Sequence, residues 1–401
     1  MRESMMKMRE GIRNELYGNI LPFWVRYSVD QVQGGFIGRM SNDLVVDPTA
    51  PKSLILNSRI LWTFSRACRL KPDPVNHGLA DRALAYLRKF FMDPVDSGAF
   101  WMVGPDGRVS DAKKKTYGQV FLIYGLSEYA RAFNDERAAE EALGLFQLVD
   151  RRLREPDGGY IEARERDWSD AGDLRLSDKD MNEKYSMNTH LHAMEAFASL
   201  YACRKDRLLG QRLKESIELF LDRIVLPDGS GLGLFFDGSW RLKSDVRSYG
   251  HDIEASWLLC EAAEILGDRT LEDRVKRTAL GLVESVLAGG LEPDGSLIYE
   301  SGPDGPIDTD RHFWTEAEAV VGFLNAYRIS GQDRFLDHSR KCWEYAEAHL
   351  VDRRRGDWYY RVSREGQPVE DQPKISEWKC PYHTSRMCFE AEGRLKDILG
   401  P

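Results

Sequence analysis

Six stretches of the chain are apolar on nearly every face. They begin near Ser53, Thr116, Ser186, Gly250, Phe313 and Cys380; Tyr117-Gly118-Gln119-Val120-Phe121-Leu122-Ile123-Tyr124 is one example. A helix that is apolar all round is buried on two sides. Between them lie more charged stretches, at about 77–92, 135–153, 206–224, 269–288 and 333–350, with another near 2–28. These carry a single apolar stripe, as in Leu213, Ile217, Phe220 and Leu221, whose spacing follows the three-and-four rule. A glycine-plus-aromatic segment punctuates each pair. The six copies are Gly34-Gly35-Phe36-Ile37, Gly98-Ala99-Phe100-Trp101, Gly158-Gly159-Tyr160-Ile161, Gly231-Leu232-Gly233-Leu234-Phe235, Gly295-Ser296-Leu297-Ile298-Tyr299 and Gly356-Asp357-Trp358-Tyr359-Tyr360. They recur every roughly 60 to 73 residues, the scale of a helix pair with a long connection. Turns such as Pro105-Asp106-Gly107 and Pro303-Asp304-Gly305 follow, which predicts short β-hairpin loops.

Six buried helices alternating with six amphipathic ones predict an all-α fold. The arrangement is an (α/α)6 barrel of twelve helices with short hairpin loops at one end, in one domain over residues 1–401. An open α-solenoid would use the same helix pairs. Six is the number that closes a ring, and neither end carries an obvious capping repeat.

Composition narrows the function classes. Hydrophobic residues make up 42% and charged residues 30% of the chain, as in a globular protein with a sizeable core. The net charge is −9, and the only basic runs, Lys113-Lys114-Lys115 and Arg353-Arg354-Arg355, read as solvated loops. That argues against a nucleic-acid partner. Six cysteines without a C-x-x-C pair suggest reduced thiols in a cytoplasmic protein. Residues 1–14 are charged throughout, which argues against a signal peptide, and no apolar run is long enough to span a membrane. A monomer is expected over a homodimer.

Each buried helix carries an unusual polar or aromatic residue near its start. These are Arg59, Tyr117, Asn188 with His192, His251 with Glu254, Trp314, and His383. In a barrel these helix starts converge under the hairpin loops and ring one pocket. Asn188, His192 and Glu195 form a polar stripe at i, i+4 and i+7, whereas His190 lies about 200° away from His192 and reads as a satisfied core histidine. The alternative, an H-x-H metal pair, lacks a third ligand at metal-like spacing, so no metal or cofactor is expected. Glu254 lies three residues after His251 and could orient its imidazole. His383 follows Pro381, which suits a first helical turn, and a helix N-terminus favours a neutral imidazole. Arg59 sits in an apolar run, so it is either salt-bridged or facing a polar cavity.

Two neutral-range bases on opposite walls suit proton abstraction next to a carbonyl. An open-chain aldose has an acidified C2–H, and a nearby cation such as Arg59 would stabilise the enediolate.

The runs Asn188-Thr189-His190-Leu191-His192, Gly250-His251-Asp252-Ile253-Glu254, Glu316-Ala317-Glu318-Ala319-Val320 and Trp378-Lys379-Cys380-Pro381-Tyr382-His383 resemble the cellobiose 2-epimerases of the N-acylglucosamine 2-epimerase superfamily. The likeness extends from Leu56-Asn57-Ser58-Arg59 to the C-terminus. It implies an (α/α)6 barrel and metal-free epimerisation at C2 of the reducing-end glucose of β-1,4 disaccharides: cellobiose to glucosyl-mannose, and lactose to epilactose. Carried over, it makes His251 and His383 the acid/base pair. His192 would assist ring opening or bind substrate, and Arg59, Tyr117, Asp180, Asn188, Glu254, Trp314 and Trp378 would contact the sugar. The family's usual tryptophan pair is here Phe313-Trp314, a departure that bears on disaccharide against monosaccharide preference.

Three other readings remain. An aldose–ketose isomerase or monosaccharide 2-epimerase, such as a mannose isomerase, shares the enediol. A glycoside hydrolase would need two opposed carboxylates, from Asp157, Asp180, Glu254 and Glu318, and would leave the histidines without a role. A helical interaction scaffold does not explain polar groups at the helix starts.

Overall fold

The computed structural model describes residues 2–400. Helix α1 (Arg2–Glu15) runs through a π-helical turn, Leu16–Ile20, into α2 (Leu21–Tyr27). Helices α3 (Leu54–Leu70) and α4 (Pro74–Tyr86) follow, then α5 (Thr116–Phe133) and α6 (Glu136–Arg152), and α7 (Met187–Cys203) and α8 (Arg207–Leu219). Next come α9 (Tyr249–Leu266) and α10 (Arg269–Gly289), α11 (Phe313–Ser330) and α12 (Asp333–Tyr345), and last α13 (Tyr382–Leu399). The six apolar stretches are the odd-numbered helices α3 to α13. Every residue of α5 from Thr116 to Ala130 is buried, whereas α6 buries only the stripe through Ala138, Ala142, Leu145 and Val149.

The inner helices form a closed ring. Each packs on the next, and α13 packs back on α3. Thr63 Oγ1 and Ser385 Oγ meet at 3.3 Å across that closure, and Arg66 pairs with Glu390 at 2.9 Å. The open solenoid is therefore excluded. Among the described residues no helix is long and apolar enough to cross a membrane.

The glycine-aromatic segments make the loops at one end. In every repeat the chain leaves the outer helix and doubles back through a single antiparallel bridge, as in Val29 to Phe36, Met92 to Ala99 and Val351 to Trp358. A left-handed turn permits the reversal: φ is +93° at Gly158 and Gly295 and +91° at Gly356, where a Cβ would be strained. The expected hairpins are present around Pro105-Asp106-Gly107 and Pro303-Asp304-Gly305. The loops also pair between repeats: Lys52–Ser53 with Met102–Val103, Lys114–Lys115 with Ala163–Arg164, and Arg311–His312 with Arg361–Val362. A bridge from Met40 to Ile375 joins the last repeat to the first.

One expectation fails here. Lys114 and Lys115 are buried, not solvated. Lys114 Nζ bonds Asp93 at 2.9 Å, and Lys115 Nζ donates to Arg175 O at 2.7 Å. The reason is a repeated device. An acid just after the outer helix meets a base from the segment before the next inner helix: Asp30 with Lys52, Asp93 with Lys114, Glu155 with Lys184, and Asp352 with Lys374. A buried charge is tolerated when it is paired and hydrogen-bonded. In the second basic run, Arg353 and Arg354 are exposed as expected, while Arg355 reaches Asp43.

Candidate functional site

All ten sequence-predicted residues line one cavity of about 450 Å³, bounded by the inner-helix starts and the loops. Arg59 comes from α3, Tyr117 from α5, Asn188 and His192 from α7, and His251 and Glu254 from α9. Trp314 comes from α11 and His383 from α13. Trp378 lies just before α13, and Asp180 belongs to a loop before α7 that walls one side. His251 and His383 border the same compartment. The Trp314 ring lies 4.7 Å from His251 and 5.6 Å from His383, centre to centre. Gly250 allows this, since a Cβ there would come within 2.7 Å of the Trp314 ring.

Three histidines are held alike. His192 Nδ1 bonds Glu195 Oε2 at 2.7 Å, and His383 Nδ1 bonds Glu318 Oε1 at 2.7 Å. A carboxylate only accepts, so Nδ1 carries the hydrogen and Nε2 keeps a lone pair. His251 Nδ1 meets the Ser248 hydroxyl at 2.8 Å. That corrects the expectation for Glu254, which bonds Arg386 instead. Side chains in the first helical turn lean back toward the N-terminus, so His251 reaches residue i−3 and not i+3. His190, by contrast, spends both nitrogens on the backbone: Nδ1 on Ser186 O at 2.7 Å and Nε2 on Tyr160 N at 3.0 Å. It stays in the core, as its helical phase implied.

The surroundings keep these three imidazoles neutral. Burial pushes His251 down to about 3, with His192 adding to the effect. Burial lowers His383 well below the imidazole range, helped by Arg59 and Arg386. Burial also lowers His192, against the opposing bond to Glu195. Desolvation disfavours the charged form of each.

Arg59 is buried, and among the described residues no carboxylate lies within salt-bridge reach of it. Its Nη2 donates to Tyr117 OH at 2.9 Å, and its guanidinium carbon lies 4.3 Å from the Phe121 ring centre and 4.8 Å from that of Tyr382. The cation is held by π faces and a phenol, which leaves its charge available to the cavity. Asp180 accepts from Ser177 N at 2.8 Å, and burial raises its carboxyl. Asn188 Oδ1 is buried without a partner.

Sequence reasoning missed Arg386. It lies one turn beyond His383 and is buried. It donates to Glu195, Tyr382 and Glu254, and to Glu318 at 2.7 Å. The signal was the one that exposed Arg59, a cation in a helix buried on two sides, but Thr384 and Ser385 broke up the apolar run around it. Glu254, Glu318 and His383 have the donor set of a metal site. The Arg386 guanidinium already lies against both carboxylates and His383 is spent on Glu318, so these residues do not fit a cation. Of the carboxylates named for hydrolysis, Glu254 and Glu318 share Arg386, Asp157 accepts from Tyr185 OH and Trp240 Nε1 at 3.0 Å, and Asp180 accepts from Ser177.

Residues 35–386 match the N-acylglucosamine 2-epimerase (GlcNAc 2-epimerase) family. The chain is 43% identical to a cellobiose 2-epimerase of Bacteroides fragilis, over 96% of this chain and 99% of that one. It is 36% identical to a cellobiose 2-epimerase of Ruminococcus albus, with the same coverage of both chains. The solved cellobiose 2-epimerase of Bacillus thermoamylovorans superposes with a TM-score of 0.92 at 34% identity, covering 97% of this chain and 99% of that one. A closed (α/α)6 ring, a cavity walled by four histidines and these likenesses together place the chain in the N-acylglucosamine 2-epimerase family of carbohydrate epimerases, among the cellobiose 2-epimerases.

Proposed function

We propose that the protein inverts C2 of the reducing-end glucose of β-1,4-linked disaccharides, converting cellobiose to glucosyl-mannose and lactose to epilactose, without a cofactor. One observation carries the reading. His251 and His383 flank Trp314 with Nδ1 of each spent on the protein, so that Nε2 is the nitrogen left for substrate.

The chemistry starts from the open-chain sugar, whose aldehyde acidifies C2–H. One of the two imidazoles removes that proton, and the other returns one to the opposite face. Both are neutral at pH 7, and a base must be unprotonated to act. Glu318 stabilises the imidazolium formed on His383. Arg59, lacking a carboxylate, stabilises the negative oxygen of the enediolate. His192, backed by Glu195, assists ring opening together with Asp180 by moving protons at the ring oxygens. Trp314 and Trp378 supply faces for the sugar rings, and Tyr117, Asn188 and Glu254 supply hydrogen bonds. The six free cysteines support a cytoplasmic setting, and the protein acts as a single-domain monomer on a small sugar.

Incubation with cellobiose, lactose, glucose and mannose, followed by chromatography, tests this. The 2-epimers of the two disaccharides are expected. A ketose as the main product would instead make the protein an aldose–ketose isomerase, and release of glucose from cellobiose a hydrolase.

A further inference from the structure

His192 and His383 stand on different helices and form no hydrogen bond to each other, yet their supports converge. The partner of His192 is Glu195 and that of His383 is Glu318, each at 2.7 Å. Arg386 grips both carboxylates, one through Nη1 and the other through Nη2. Each carboxylate accepts one further bond. Tyr382 OH donates to Glu195 Oε1 at 2.6 Å, and Trp257 Nε1 donates to Glu318 Oε2 at 3.0 Å. The Trp257 ring lies 4.7 Å from the Arg386 guanidinium carbon and fixes its plane. Two oppositely directed arms of one rigid fork are what this geometry needs, and lysine, a point charge, has none.

The charges around this fork nearly balance. Arg386 faces Glu195 from α7, Glu254 from α9 and Glu318 from α11, while Arg59 from α3 and the phenols of Tyr117 and Tyr124 from α5 border the same cluster. Burial pushes Glu254 up to about 8, and the charge of Glu318 adds to this. One proton on the Glu254–Glu318 pair leaves two cations and two anions.

We propose that Arg386 is a shared positioning residue: by holding Glu195 and Glu318 together it fixes both histidines as Nδ1–H tautomers with Nε2 toward the substrate, and it links their protonation so that charging one disfavours charging the other. Arg386 itself does not line the cavity. Its catalytic consequence rests on the epimerase reading; its effect on the histidines does not.

The test is histidine-selective 15N NMR of the full chain without substrate, run beside kinetics on cellobiose. In the wild type, His192 and His383 should both show an unprotonated Nε2. Arg386→Lys should mix the tautomers at one or both and lower kcat at least about tenfold, with a smaller change in KM that comes through Glu254, which Arg386 also holds. Glu195→Gln, which of the two histidines directly supports only His192, should also move the His383 signals. His383 signals unchanged in both variants would overturn the proposal. Should Arg386→Lys not fold, Glu195→Gln decides alone, joined by a cycle with Glu318→Gln. Residues in one network are non-additive, so the double variant should lose at least about fivefold less kcat than the product of the singles. Agreement with that product within about twofold would overturn the linkage. A wild type inactive on sugars would end the epimerase reading while leaving the NMR arm decisive.

Discussion

Two sets of buried charges sit a short distance apart in this barrel and are balanced in opposite ways. Under the loops every such acid meets at least one base, as in Lys52 with Asp30 and Lys114 with Asp93, and the device recurs in four repeats. At the cavity the matching is broken: Arg59 has no carboxylate, whereas Arg386 serves three. The contrast teaches where to look for chemistry in a symmetric fold. Paired charges that follow the repeat hold the loops in place, and charges that depart from the repeat line the cavity, as Arg59 does, or stand behind the groups that line it, as Arg386 does.

The strongest way to break this contrast is to remove a cavity histidine. His251→Ala and His383→Ala should each lower epimerisation about 10²–10⁴-fold with an unchanged far-UV CD spectrum. More than about a tenth of wild-type activity in both would remove their roles.

Lys114→Met attacks the other set. It should cost about 3 kcal/mol in urea unfolding, the low end for a broken buried pair, because Arg166 also holds Asp93. Activity per folded molecule should stay within about twofold. A variant as stable as wild type would show that the ring is not structural. Acid sharpens the same point. Burial opposes the Asp93 charge, but Arg166 and Lys114 hold its carboxyl below the usual carboxylate range. A carboxyl so lowered contributes stability above its unfolded value near ~4 and loses it as pH falls through the folded value. The stability gap between wild type and Asp93→Asn should be full at neutral pH and close in strong acid. A gap that persists there contradicts the assignment.

His190 and His192 carry the contrast within one helix. His190→Ala should cost about 1–3 kcal/mol, since Tyr160 N–H and Ser186 C=O lose their partner, and should leave kcat within about threefold. A large loss of kcat without loss of stability would place His190 in the chemistry. Trp314→Ala should raise KM about 2–10-fold, the worth of an aromatic contact, and lower kcat less. An unchanged KM would count against stacking. The smallest effect is none at all: EDTA should not alter the rate, because Arg386 already fills the place a cation would take between Glu254 and Glu318. Loss restored by a divalent ion would contradict that.

Much of this was legible in the sequence. The six apolar helices start within a few residues of where the pattern put them, because a helix buried on both sides leaves a period-free apolar run that outer helices lack. The ten candidate residues meet in one cavity because a closed ring brings equivalent positions together. What stayed hidden was pairing across repeats. Lys114 read as solvated because its partner Asp93 is 21 positions away. Glu254 was matched to His251 by helical phase, when a partner 132 positions distant, Arg386, holds it instead. Local spacing shows which side chains share a face and says nothing of what stands opposite.

The proposed reaction turns on proton exchange at a single carbon. Cellobiose incubated with the enzyme in D2O, recovered and examined by NMR, should carry deuterium at C2 of the reducing-end sugar in the mannose-configured product. Epimer that retains the original hydrogen at C2, or deuterium at C1 in place of C2, would contradict abstraction by His251 and His383.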